Sequence, residues 1–153
     1  MNRILSLVIL LLGLVAIVIG AVFVFEGVSK NNLIVERMNV ENVTLAVDPS
    51  NPSQLTHVQN GADAQKAADT IAEHRRTIAP SYQALLGNGR FDPTNPKHLT
   101  YAQAMNLENY LYLAVTAFGL IQVVMAAGAF MIVTGLALGL TGLVLFRIPT
   151  KTS

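Results

Sequence analysis

The sequence predicts an all-α membrane protein: an antiparallel two-helix transmembrane hairpin with long helices and a small, mainly helical extracytoplasmic cap. Three observations carry this expectation. Asn109 to Phe146 contains no Asp, Glu, Lys or Arg, and neither does Ile4 to Phe25. All nine acidic residues fall in the stretch between those two runs. Composition, at 52% hydrophobic against 12% charged, is skewed toward lipid.

About 20 apolar residues at ~1.5 Å rise each cross a ~30 Å hydrocarbon layer. The first run meets that length, and the second is nearly twice as long. Four parts follow: an N-terminal anchor at 1–25, an extracytoplasmic cap at 26–108, a C-terminal transmembrane helix at 109–147 and a cytoplasmic tail at 148–153. The cap is too short and too interrupted for a large core of its own.

Charge sets the expected orientation. Arg3, Arg147 and Lys151 lie beyond the two runs with no acid beside them. Cytoplasmic flanks collect Lys and Arg, so both termini are expected inside a bacterial cytoplasmic membrane and residues 26–108 outside. The apolar part of the N-terminal segment exceeds the ~7–15 residues of a secretory signal, and Phe23, Phe25 and Glu26 stand where a small-residue cleavage site belongs. An uncleaved anchor is expected.

The first helix is expected over about 4–32, with a continuation toward Arg37 because no proline comes before Pro49. Val40, Val43, Leu45 and Val47 alternate in part and suggest a short extended segment, ended by a turn at Pro49 and Pro52. Asn42-Val43-Thr44 matches a glycosylation sequon, a pattern common by chance. Asp63 opens an Ala-rich helix over 63–79, closed by Pro80, with Arg75 and Arg76 in its last turns as the helix dipole favours. Ser81 caps a short helix at 81–86, stopped by Gly87-Asn88-Gly89. Thr100 is the expected N-cap of the last helix, over 100–147. A tight hairpin within Asn109–Phe146 is the rival reading of that run. Its middle, QVVMAAGAF, has no polar turn, and a hairpin there would put Arg147 outside.

Small residues recur at seven-residue spacing in both long helices: Ser6, Gly13, Gly20 and Gly27 in the first, Gly128, Gly135 and Gly142 in the last. That spacing keeps small residues on one stripe, where backbones can approach closely. The stripes Gly13/Gly20 and Gly128/Gly135/Gly142 are expected to face each other, with Gly139 offering a second face.

No chemistry is apparent. The chain has no cysteine, hence no disulfide, thiolate ligand or Cys nucleophile. Its three histidines, His57, His74 and His98, all lie between the runs, so no histidine-ligated cofactor is expected at membrane depth. Asp69, Glu73 and His74 share a helix without metal-binding spacing. No nucleotide fingerprint, nucleophile elbow or buried charge relay occurs. Arg75, Arg76, Arg90 and Lys97 could meet anionic headgroups, but nearby acids dilute that field. Tyr101, Tyr110 and Tyr112 read as interface anchors or contacts to the outer segment. No catalytic residue, cofactor, metal or nucleic-acid partner is expected. Should the cap hold a ligand, His74 and Tyr82 are the candidates.

Four pieces in order carry a resemblance: the anchor, ENVTLAVD, ADTIAEHRRTIAPSYQALL, and MNLENYLYLAVTAFGLIQVVMAAGAFMIVTGLAL. Within them stand Ile71 and His74, Tyr82 and Leu85, and Val115, Ala117, Phe118 and Gly119. The chain resembles a family of small two-span bacterial membrane proteins found in actinobacteria and relatives. Members sometimes carry an automatic ring-cleaving dioxygenase name. Such a site needs iron held by two His and a carboxylate or comparable ligands, and no spacing here supplies them. The resemblance implies a membrane protein without assigned chemistry. The expected function is a non-catalytic structural or accessory subunit of a larger membrane assembly, or a homo-oligomer, its partners the lipid bilayer and other subunits or copies of itself. The alternative is an extracytoplasmic module binding a small ligand, lipid or metal.

Overall fold

The computed structural model describes residues 2–48 and 51–147. In chain order it has α1 (Asn2–Val40), β1 (Thr44–Asp48), β2 (Asn51–His57), α2 (Gly61–Ile78), α3 (Tyr82–Leu86) and α4 (Pro96–Arg147). The expected tail at 148–153, with Lys151, and the turn at Pro49 lie outside the described residues. The chain is mostly helical, and α1 and α4 are long and apolar enough to cross a membrane. Only 11% of the most apolar window of each is buried. The core helix of a water-soluble domain would be mostly buried, and neither helix is of that kind.

Contacts divide the chain into two compact units, Met1–Asn31 with Leu120–Ser153, and Asn32–Gly119. Both boundaries fall inside helices, further along α1 and α4 than the ends of the charge-free runs at Phe25 and Asn109.

In the first unit, contacts descend along α4 as they ascend along α1. A Cβ added to Gly13 would stand 2.7 Å from the Gly135 carbonyl oxygen, and one added to Gly20 would stand 2.5 Å from that of Gly128. Gly142 faces Leu10 and the Ser6 carbonyl, and Gly27 faces the side chain of Met125. Ser6 is buried and donates its hydroxyl to the Arg3 carbonyl at 3.1 Å. Large side chains elsewhere on the two helices point away: Phe130 is 71% exposed and Ile4 73%.

The second unit contains the rest of α1 and the first part of α4. α1 runs past the expected end near Asn32 to Val40. Gly27 and two asparagines weaken that stretch locally, yet Ile34, Val35 and Met38 pack against the unit's main core, and tertiary packing overrides propensity. Asn42, at φ 52°, then turns the chain in the left-handed region that asparagine tolerates. β1 is the extended segment the alternation suggests. The stretch after it, expected to be turn alone, also contains β2, which pairs antiparallel with β1. Thr44 lies opposite His57 and Leu45 opposite Thr56, with an irregularity between Ala46 and Asp48. Pro52 hid this strand, since proline cannot donate to a ladder. A two-stranded sheet has only edges, where proline is tolerated.

α2 begins at Gly61, two residues before the expected start. Its cap is Asn60, whose side-chain oxygen accepts from the Asp63 amide at 3.0 Å; Asp63 in turn accepts from the Gln59 amide and the Asn60 side chain. Asp63 is therefore the third helical residue of a reciprocal cap rather than the cap itself. Ala79, extended because Pro80 follows, ends the helix. Ser81 caps α3 by accepting from the Ala84 amide at 3.1 Å. α4 starts at Pro96, before the expected Thr100. Asn95 accepts from the Lys97 amide at 3.0 Å, and proline suits the first helical position. Thr100 instead donates to the Pro96 carbonyl.

The main core of this unit gathers Leu45, Val58, Ala64, Ala67, Ala68, Leu111, Ala114 and Phe118. Alanines on α2 leave room for the larger side chains of α4, and a Cβ on Gly61 would stand 3.2 Å from that of Phe118. Ala79, Leu85 and Tyr101 form a smaller cluster.

Candidate functional site

The two grooves and the salt bridge found among the described residues lie in the unit of residues 32–119. Its most enclosed polar feature is a clamp between α2 and α4. Arg75 Nε donates to Glu108 Oε2 at 2.6 Å and a second guanidinium nitrogen to Oε1 at 3.3 Å, while Nη1 donates to the Tyr101 hydroxyl at 2.5 Å. The guanidinium carbon stands 5.0 Å from the centre of the Tyr101 ring. Both charged side chains are nearly buried, and Tyr101 is 1% exposed. The hydrogen bond to the Glu108 carboxylate raises the Arg75 pKa above its ordinary value, so the guanidinium stays charged. Three guanidinium N–H groups are committed within the clamp, two to Glu108 and one to Tyr101. Its work is to fix α2 on α4.

Arg75 thus departs from the expectation of an ordinary surface cation: its side chain is nearly buried against Glu108. Glu108, which marks the edge of the charge-free run, is the residue that sequence reasoning missed. Its signal was the isolation of one carboxylate beside an apolar segment, a position that requires a partner. Tyr101 contacts Arg75 and Tyr82 within the unit of residues 32–119. Tyr112 donates to Asp69 at 3.2 Å, and Tyr110 is exposed.

Two adjoining grooves flank α1 and α4. The first, of about 630 Å³, is lined by Leu33, Ile34, Arg37, Met38, Glu41, Val43, Leu107, Tyr110 and Leu111. The second, of about 410 Å³, shares Glu41, Val43, Leu107 and Leu111 and adds Thr70, His74 and residues of β1 and β2. Volumes of this size suit small ligands, and an apolar lining with a few polar groups is their usual setting.

His74 therefore lies on a groove. Tyr82 does not: its ring is tilted against Tyr101, with centroids 6.3 Å apart. The two candidate ligand contacts face different neighbours, because Pro80 turns the chain between them. Among the described residues no three His, Asp or Glu side chains gather as a metal would require. Of the expected packing glycines, Gly13, Gly20, Gly128, Gly135 and Gly142 all lie where an added Cβ would meet the other helix at 3.0 Å or less. Gly139 differs. A Cβ there meets open space, yet its backbone nitrogen lies 2.8 Å from where a Gly13 Cβ would stand.

The class that the fold defines is a mostly helical chain with two helices capable of crossing a membrane. Comparison with protein-family models, curated proteins and solved structures finds no match.

Proposed function

We propose that the chain is a two-pass protein of a bacterial cytoplasmic membrane, acting as a non-catalytic structural or accessory subunit of a larger assembly or of a homo-oligomer. In this reading α1 and α4 form the transmembrane hairpin, residues 26–108 the extracytoplasmic cap, and both termini are cytoplasmic. The family resemblance to small two-span membrane proteins belongs to the same reading. One observation carries it. Glycines occupy the contact between the apolar helices, while Leu5, Val123, Phe130, Val133 and Leu140 remain more than half exposed. Apolar side chains in such number need lipid or another protein around them.

Chemistry would need reactive groups converging on a cavity. Among the described residues the salt bridge is that of Arg75 with Glu108, and its contacts join α2 to α4, which suits a structural role. The full-length chain should migrate as a defined oligomer, or with other subunits, when native mass is measured in mild detergent and in lipid discs. A strict monomer in both would overturn the subunit reading. The grooves favour a second reading, a ligand-binding cap, with His74 rather than Tyr82 on the site.

A further inference from the structure

We propose that the groove lined by Glu41 and His74 binds a small organic amine, its ammonium on the Glu41 carboxylate and its apolar body against Leu45, Ile71 and Leu111. This rests on the ligand-binding reading of the cap and adds the chemical class of the ligand.

The end of α1 fixes the carboxylate. The Val43 amide donates to the Met38 carbonyl at 2.9 Å and the Asn42 amide to that of Asn39 at 3.0 Å, with Asn42 in the left-handed region. That pair of bonds closes a helix whose capping residue is Glu41. An acid at this place has the wrong sign for the helix dipole, because the C-terminal end is itself partially negative. Carboxylate and helix end therefore attract a cation to one point. Arg37, one turn earlier, lines the neighbouring groove but not this one, and Glu41 makes no salt bridge among the described residues.

The remaining lining sets the chemistry of the ligand. No Lys or Arg takes part in it. Its polar side chains, Glu41, Asn42, Thr44, Thr70 and His74, each carry an acceptor that suits an ammonium N–H. Thr70 has its hydroxyl proton on the Lys66 carbonyl at 3.0 Å, which leaves its oxygen to accept. Val43, Leu107 and Leu111 line the groove as well, so the charge of Glu41 stands beside hydrocarbon, where an opposite charge is worth more than in open water. An anionic ligand would meet that carboxylate unfavourably, and a neutral one would leave it unpaired. A volume of about 410 Å³ suits a small molecule, and every lining residue belongs to the unit of residues 32–119.

The test titrates the full-length chain, in phosphatidylcholine discs, with hexylamine, hexanol and hexanoate. Affinity is read by NMR of the ligand against empty discs, at about pH 8, above the ordinary imidazole range and below that of an alkylamine. Hexylamine is expected to bind about tenfold tighter than hexanol, with hexanoate weakest, because a charge-assisted hydrogen bond outweighs a neutral one. Glu41→Gln, a change at an exposed position, should level the amine with the alcohol. Thr70→Trp, also at an exposed position, should fill the groove and abolish binding of both, with helical content by circular dichroism unchanged. Amine preference surviving Glu41→Gln, hexanol or hexanoate binding as well as hexylamine, or amine binding surviving Thr70→Trp would each overturn the amine assignment. Displacement of hexylamine by phosphatidylethanolamine in the discs would give the ammonium to a lipid headgroup and overturn a soluble ligand. Binding of none of the three probes would instead sink the ligand-binding reading itself.

Discussion

Gly20 and Gly128 approach each other reciprocally across the two apolar helices. A Cβ on Gly20 would stand 2.5 Å from the Gly128 carbonyl oxygen, and one on Gly128 would stand 2.7 Å from that of Gly20. Side chains of any size are excluded on both sides of this contact. If the pair crosses a membrane as proposed, close backbone packing of this kind supplies the attraction between helices, since lipid offers no hydrophobic driving force.

Replacing Gly20 or Gly135 with Leu should therefore weaken the helix pair by about 1–3 kcal/mol, as overpacked contacts do. Titration with a denaturing detergent, followed by circular dichroism and by the distance between spin labels on α1 and α4, measures the loss. Gly139→Leu should leave that distance unchanged, since its Cβ direction is open. Equal damage at positions 20 and 139 would contradict the packing described.

The clamp makes a second prediction. Arg75→Met should cost about 2–4 kcal/mol, because Glu108 is left without its partner in a nearly buried place. Arg75→Met with Glu108→Leu should recover most of the loss, since an apolar pair carries no desolvation penalty. A double-mutant cycle by thermal denaturation reads the coupling, and simple additivity would show that the two groups do not act together.

Asn60→Ala should destabilise α2 by about 1 kcal/mol, through loss of the acceptor for the Asp63 amide. The change should appear as faster amide exchange in the first turn of α2. Exchange in the last turn, held by the Arg75 clamp, should be unaffected.

Asp92 accepts from both the hydroxyl and the amide of Thr94, at 2.7 and 2.8 Å, and these bonds lower its pKa below the ordinary 3.8. A depressed carboxylate contributes stability that is present above its unfolded pKa and lost as pH falls through the folded value. The turn before α4 should thus hold at neutral pH and begin to open only below about pH 4. Proton chemical shifts of the Thr94 amide across an acid titration would show this. An unchanged amide after Asp92→Asn in acid, with the wild-type chain opening, would support the carboxylate as the cause; opening of the wild type near neutrality would refute it.

Orientation can be tested cleanly because the chain has no cysteine. Single cysteines introduced at positions 57 and 90 should react with an impermeant reagent in intact cells, and one at 151 should react only after permeabilisation. Labelling of 151 from outside would reverse the topology.

Much of this protein is a direct consequence of its composition along the chain. Two runs without charge, one of them bounded by Glu108 and Arg147, are legible in the sequence as two long apolar helices, long enough to cross a membrane. Pro80, Ser81 and Gly87 determine the break between α2 and α3, since each acts through its own backbone restrictions or side-chain hydrogen bond. Other features were decided by residues distant in sequence. Packing of Ile34 and Met38 carries α1 to Val40 against weak local propensity, and pairing with β1 makes a strand of a proline-containing segment. Glycine spacing specifies which residues share a stripe, but only the tertiary structure pairs Gly20 with Gly128 and turns Gly139 outward while its backbone meets Gly13. Likewise, Arg75 and Glu108 are 33 residues apart, and only the packing of α2 on α4 makes them one buried pair. Helix propensity, breakers and caps act over a few residues, whereas register, burial and charge pairing depend on the whole fold.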